Sequence, residues 1–128
     1  MNDKVQLIQR VIIVALVFLA SCGGSSSYEY QPARPTLHTV TYRITGSVGA
    51  RADLTYENEQ GNGEQQDDVM LPWTKTYRME SGDFMYISAQ LQSDGQIRCE
   101  ILVDNVVAES AQSSGQYVIA SCSGSVGR

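Results

Sequence analysis

From His38 onward, apolar residues recur at every second position, and turn-forming residues interrupt the pattern at intervals of about ten. Only a β-strand places residues i, i+2 and i+4 on one face, so this alternation excludes helices with one buried stripe and calls for half-buried strands. Val40, Tyr42 and Ile44 alternate with Thr39, Thr41, Arg43 and Thr45 up to Gly46, and after the turn at 46–49 Ala50, Ala52, Leu54 and Tyr56 alternate with Arg51, Asp53 and Thr55. These two segments are expected to be strands joined as a hairpin. Residues 57–68 are polar, hold Gly61 and Gly63 and lack apolar periodicity, which predicts a mobile loop or hairpin tip, with 69–71 as a short strand. Beyond Pro72, Trp73, Lys75, Tyr77 and Met79 alternate with threonines and Arg78; then Met85, Ile87, Ala89 and Leu91 oppose Phe84, Tyr86, Ser88 and Gln90. After Ser93-Asp94-Gly95, Ile97, Cys99, Ile101 and Val103 form another inward set, and 106–111 and 117–122 complete the series on either side of Ser113-Ser114-Gly115. Seven or eight short strands with no helical period after residue 21 predict an all-β fold, an immunoglobulin-like antiparallel β-sandwich, with a small barrel as the alternative.

The first 21 residues have a different character. Lys4 and Arg10 precede the apolar run 11–20, and Ser21-Cys22-Gly23-Gly24 follows, in the order of an export signal: charged, apolar, small. Ten apolar residues at about 1.5 Å rise reach roughly half of a 30 Å hydrocarbon core, which disfavours a membrane span. Leu19-Ala20-Ser21-Cys22 resembles the bacterial lipobox. That resemblance implies cleavage before Cys22, a diacylglyceryl thioether on its sulfur and N-acylation, and several acyl chains anchor durably where one does not. Residues 22–37, rich in glycine, serine and proline, are expected to be a lipidated tether between the signal peptide at 1–21 and a folded domain at 38–128. The protein is then exported and held on the extracytoplasmic face of the cell membrane; a second, outer membrane is an alternative site where the organism has one.

Charge and cysteine count narrow the function. The chain carries 9 Lys and Arg against 14 Asp and Glu, and removing Asp3, Lys4 and Arg10 with the signal leaves seven cations against thirteen anions, with no basic stripe. That balance disfavours nucleic acid as a partner. With Cys22 lipidated, Cys99 and Cys122 are the two cysteines left, both on apolar strand faces in an exported chain, and are expected to pair. No catalytic residue and no metal or cofactor site is expected. The one histidine, His38, opens the first strand without a recognisable nucleophile motif and reads as structural, and Glu57, Glu59, Glu64, Asp67 and Asp68 lack calcium-loop spacing and read as solvated charge. What remains is surface. Phe84 and Tyr86 fall opposite the inward set, as cross-strand packing or an apolar outer patch, and Pro72-Trp73 supplies either a core tryptophan or an interface anchor. Pro72, Trp73, Phe84 and Tyr86 are therefore the candidate partner contacts.

The segments 38–46 (HTVTYRITG), 71–75 (LPWTK), 97–104 (IRCEILVD) and 120–122 (ASC), in this order and spacing, resemble the periplasmic domain of the mycobacterial membrane protein small (MmpS) family over roughly residues 38 to 124. The resemblance implies a β-sandwich with a cysteine pair and a non-catalytic accessory role beside large RND-type (MmpL) exporters of lipids or siderophores. The lipobox stands where that family usually has a transmembrane helix. The expected function is thus a lipid-anchored extracytoplasmic interaction protein serving a large integral membrane transporter, and the alternative is a binding module for a lipid or other apolar small molecule.

Overall fold

The computed structural model describes Gly24 and residues 27–127; the lipobox, Cys22 and the signal segment lie outside the described residues. The chain divides into two units, 1–33 and 34–128, and the second holds eight strands. They are β1 (Leu37–Gly46), β2 (Arg51–Glu57), β3 (Gly63–Met70), β4 (Trp73–Glu80), β5 (Phe84–Leu91), β6 (Asp94–Val103), β7 (Val106–Gln116) and β8 (Ile119–Ser125). All pairings are antiparallel, in two four-stranded sheets of order β4-β1-β6-β7 and β3-β2-β5-β8. The fold is an all-β antiparallel sandwich, immunoglobulin-like in architecture with its own strand order, and no helix occurs among the described residues.

The alternating residues build the interior. In the first sheet Val40, Tyr42 and Ile44 of β1 stand opposite Val103, Ile101 and Cys99 of β6. In the second, Leu54 and Tyr56 of β2 stand opposite Ala89 and Ile87 of β5, which in turn face Ala120 and Cys122 of β8. Ile44, Ile87, Ile97 and Ile101 are fully buried. Each such side chain stabilises the sandwich by about 1.5–3 kcal/mol relative to exposure. Cys99 and Cys122 form a disulfide that joins β6 of one sheet to β8 of the other. The buried phenol of Tyr42 crosses the sandwich, donating to the Glu57 carbonyl at 2.8 Å and accepting from the Tyr86 N–H at 3.3 Å.

Two loop expectations are overturned. Residues 63–68, expected as part of a mobile loop or hairpin tip, join the expected short strand at 69–70 to form β3, and only 58–62 turn: the Asn58 side-chain oxygen accepts the N–H groups of Gln60 (2.9 Å) and Asn62 (3.0 Å). β3 is an edge strand with no apolar face to bury, which is why it lacks a period. Its inward polar groups are taken up by neighbours, Gln66 by the Tyr56 hydroxyl and Glu64 by that of Tyr77. Likewise Ser113-Ser114-Gly115 belongs to β7, another edge strand, which pairs with β6 from Val106 to Gln116. The β6–β7 turn, Asp104-Asn105, has φ of 50° and 65°, the left-handed pair that suits a two-residue hairpin.

Candidate functional site

Strand alternation in β5 turns Met85 and Ile87 into the core and leaves Phe84 and Tyr86 on the outer face of the second sheet. Their rings are nearly parallel, 15° apart in plane with centroids at 6.4 Å, and Phe84 is 53% exposed. Beside them lies a shallow groove of about 420 Å³ lined by Thr55, Tyr56, Glu57, Gly63, Phe84 and Tyr86. The floor is held from behind. The Tyr42 hydroxyl binds the backbone of Glu57 on one wall and of Tyr86 on the other, so a side chain from the opposite sheet bridges β2 and β5 just beyond their last paired residues, Tyr56 and Ile87. Burial pushes the Tyr42 phenol up to about 12, so it stays neutral and can donate and accept together.

Pro72 is exposed and follows a cis Leu71-Pro72 bond. Trp73 is half-buried, and its ring rests on Tyr56 with centroids 5.1 Å apart, which makes it a core-packing ring whose neighbour lines the groove. The Lys75 ammonium lies 5.7 Å from the Tyr56 ring centre and 5.5 Å from that of Tyr77. The Tyr77 hydroxyl donates to Glu64 at 2.7 Å. Burial, then the Glu64 carboxylate, pushes the Tyr77 phenol well above its ordinary value, while the Tyr77 bond draws Glu64 below the usual carboxylate range. This cluster bridges edge strands β3 and β4 of the two sheets. Trp73 thus reaches the groove beside the Phe84–Tyr86 pair through Tyr56, and Pro72 does not line the groove.

On the outer face of the first sheet, Glu100 is nearly buried between Arg43 and Arg98; it accepts from both guanidinium groups, which hold its carboxyl below the usual range, Arg43 foremost. Sequence reading passed over this triplet and the Tyr42 crosslink. The Arg98-x-Glu100 spacing marks one face of β6, but Arg43 joins only through the β1–β6 register. Among the described residues no group of three or more histidines, cysteines or acidic residues is placed to hold a metal ion, and no helix is long and apolar enough to cross a membrane.

Residues 9–126 match the family described as Mycobacterium membrane protein. The chain belongs to this family, the MmpS family. The MmpS assignment makes it a membrane-associated accessory protein, from a family whose role is not enzymatic. Its sandwich, its Cys99–Cys122 disulfide and its outer aromatic pair are then parts available to such a role. No curated protein matches the chain.

Proposed function

We propose that this MmpS-family chain is a non-catalytic, extracytoplasmic accessory protein, lipid-anchored through Cys22, whose sandwich docks on a large integral membrane exporter of the RND/MmpL type. The observation that carries the docking surface is the outward Phe84–Tyr86 pair beside its groove, Phe84 exposed and Tyr86 half-buried, on a β-strand whose backbone Tyr42 binds at Tyr86. Rigid aromatic side chains lose little entropy on binding and dominate interfaces, costing about 2 kcal/mol or more on truncation when they are hot spots. Confinement to a membrane raises the local concentration of integral partners, so a modest interface suffices.

The test is a photo-crosslinking amino acid in place of Phe84 in the full-length protein in its native envelope, with Phe84→Ala/Tyr86→Ala compared by conventional crosslinking. We expect capture of a large membrane protein, and at least a tenfold loss of capture in the double variant at unchanged melting temperature. Wild-type capture by the folded double variant would remove this face as the interface. The second reading, an apolar small-molecule binder, is favoured by the groove itself; native mass spectrometry of the purified protein would then show a retained lipid instead of a crosslinked protein. For the anchor, Cys22→Ser should release the protein or leave an unprocessed precursor, and an unchanged membrane fraction would refute lipidation.

A further inference from the structure

His38, Ser81 and Asp104 come from the start of β1, the β4–β5 turn and the β6–β7 turn. Strand register places Leu37 opposite Glu80 and Val40 opposite Val103, which brings all three to one end of the sandwich. Asp104 Oδ2 lies 2.7 Å from His38 Nδ1, and Ser81 Oγ lies 2.9 Å from Nε2 on the far side of the ring. The other Asp104 oxygen accepts the Thr39 N–H at 2.9 Å. The His38 and Thr39 bonds hold the Asp104 carboxyl below the usual range, so it is ionised and can only accept. Nδ1 must then carry the proton. In the neutral ring Nε2 is left as an acceptor, and the Ser81 hydroxyl donates to it. This is the geometry by which a histidine draws the proton from an attacking serine.

Access and the backbone decide which reaction this geometry can support. Ser81 is exposed, and Gly127 lies along its flank: a Cβ there would stand 3.4 Å from Ser81 Oγ and 3.8 Å from His38 Nε2, so any side chain would sit against the hydroxyl. The N–H groups of Ser81 and of the two residues after it are already committed, Ser81 to the Thr36 carbonyl (3.0 Å), Gly82 to that of Val126 (2.9 Å) and Asp83 to that of Glu80 (3.1 Å). None of the three is free to receive a developing oxyanion, and each such donor is worth about 10²–10³ in rate. A donor with a good leaving group can acylate a base-activated serine without that help. Hydrolysis of the resulting alkyl ester, whose leaving group is a serine alkoxide, cannot keep pace.

We propose that Ser81 is a covalent acylation site that reacts once with activated acyl esters, thioesters or aryl esters, with His38 as the base and Asp104 as the residue that positions it. The Ser81 oxygen bonds to the acyl carbon and its proton passes to His38 Nε2; the bond from acyl carbon to leaving sulfur or oxygen breaks, and the departing thiol or phenol takes that proton. His38 returns to neutral and Ser81 holds the ester.

The test treats the full chain in detergent with p-nitrophenyl acetate and follows it by intact mass and peptide mapping. We expect a single acetyl ester on Ser81, one equivalent of p-nitrophenol released, and no further turnover. Ser81→Ala should lose the adduct, and His38→Gln should slow it about 100-fold or more at unchanged melting temperature. Asp104→Asn, which keeps an oxygen for the Thr39 N–H but cannot hold the Nδ1 proton in the same way, should also slow acylation without lowering the melting temperature. Acetylation of Ser81 no faster than that of exposed Ser114 in the wild-type protein would overturn the proposal without any variant. An unchanged rate in folded His38→Gln, or sustained turnover, would overturn it too.

Discussion

Breaking the Cys99–Cys122 bridge tests how much of the sandwich's stability depends on holding its two sheets together covalently. The cysteines are 23 residues apart, Cys99 fully buried and Cys122 nearly so, and their strands belong to different sheets. Reduction frees a loop of about 24 residues in the unfolded chain, which the chain-entropy relation puts at about 3.4 kcal/mol at 25 °C. The folded unit has roughly 90 residues, for which total stability is about 5–14 kcal/mol, so the bridge supplies between a quarter and two thirds of it. With about 4–8 °C of melting temperature per kcal/mol in domains of this size, the reduced protein should melt about 14–27 °C lower. The assay is urea unfolding of oxidised protein, reduced protein and Cys99→Ala/Cys122→Ala, followed by circular dichroism. The denaturant slope should rise on reduction, because the uncrosslinked chain exposes more surface when unfolded. The alanine pair should lose somewhat more than reduction alone, since it also removes two buried sulfur atoms. A loss below about 1 kcal/mol with an unchanged slope would refute the argument that the bridge acts on the unfolded chain.

Tyr42→Phe removes a hydroxyl that satisfies both the Glu57 carbonyl and the Tyr86 N–H, and should cost about 1–3 kcal/mol in urea unfolding. Because burial raises the Tyr42 phenol from 10.0 to about 12, the unfolded chain ionises there before the folded one; stability is full below pH 10 and falls from there to about pH 12, a slope that Tyr42→Phe should reduce. Glu100, whose arginine partners lower its carboxyl from 4.5, contributes fully above that value and loses its contribution as pH falls through the lowered one. Glu100→Gln should therefore flatten part of the acid limb of the stability curve, at a neutral-pH cost of about 1 kcal/mol because both arginines are partly screened by solvent. Gly46→Ala would set a Cβ 2.8 Å from the Gln96 carbonyl oxygen and 2.9 Å from Leu71 Cδ1, and should destabilise by about 1–3 kcal/mol in thermal unfolding.

Local sequence by itself determined the strands that have a buried face. Where Val40, Tyr42 and Ile44, or Met85, Ile87 and Ala89, sit at alternate positions, the two-residue period of a strand is the physical cause of the pattern and can be read without knowing the neighbours. For the same reason the outward placement of Phe84 was legible, and the family resemblance needed only the order of the motifs. Tertiary structure decided what has no such period. β3 and the end of β7 lie at sheet edges, where no core selects for apolar residues and pairing alone makes the strand. The groove beside Phe84 has both walls tied to a phenol from the other sheet, a contact that only the closed sandwich makes. Glu100 meets Arg43 across β1 and β6, and His38 reaches Ser81 and Asp104 across 43 and 66 residues of chain. Contacts of that span leave no local trace, because they depend on which strands become neighbours and in what register, and that is settled only when the two sheets close on a common core.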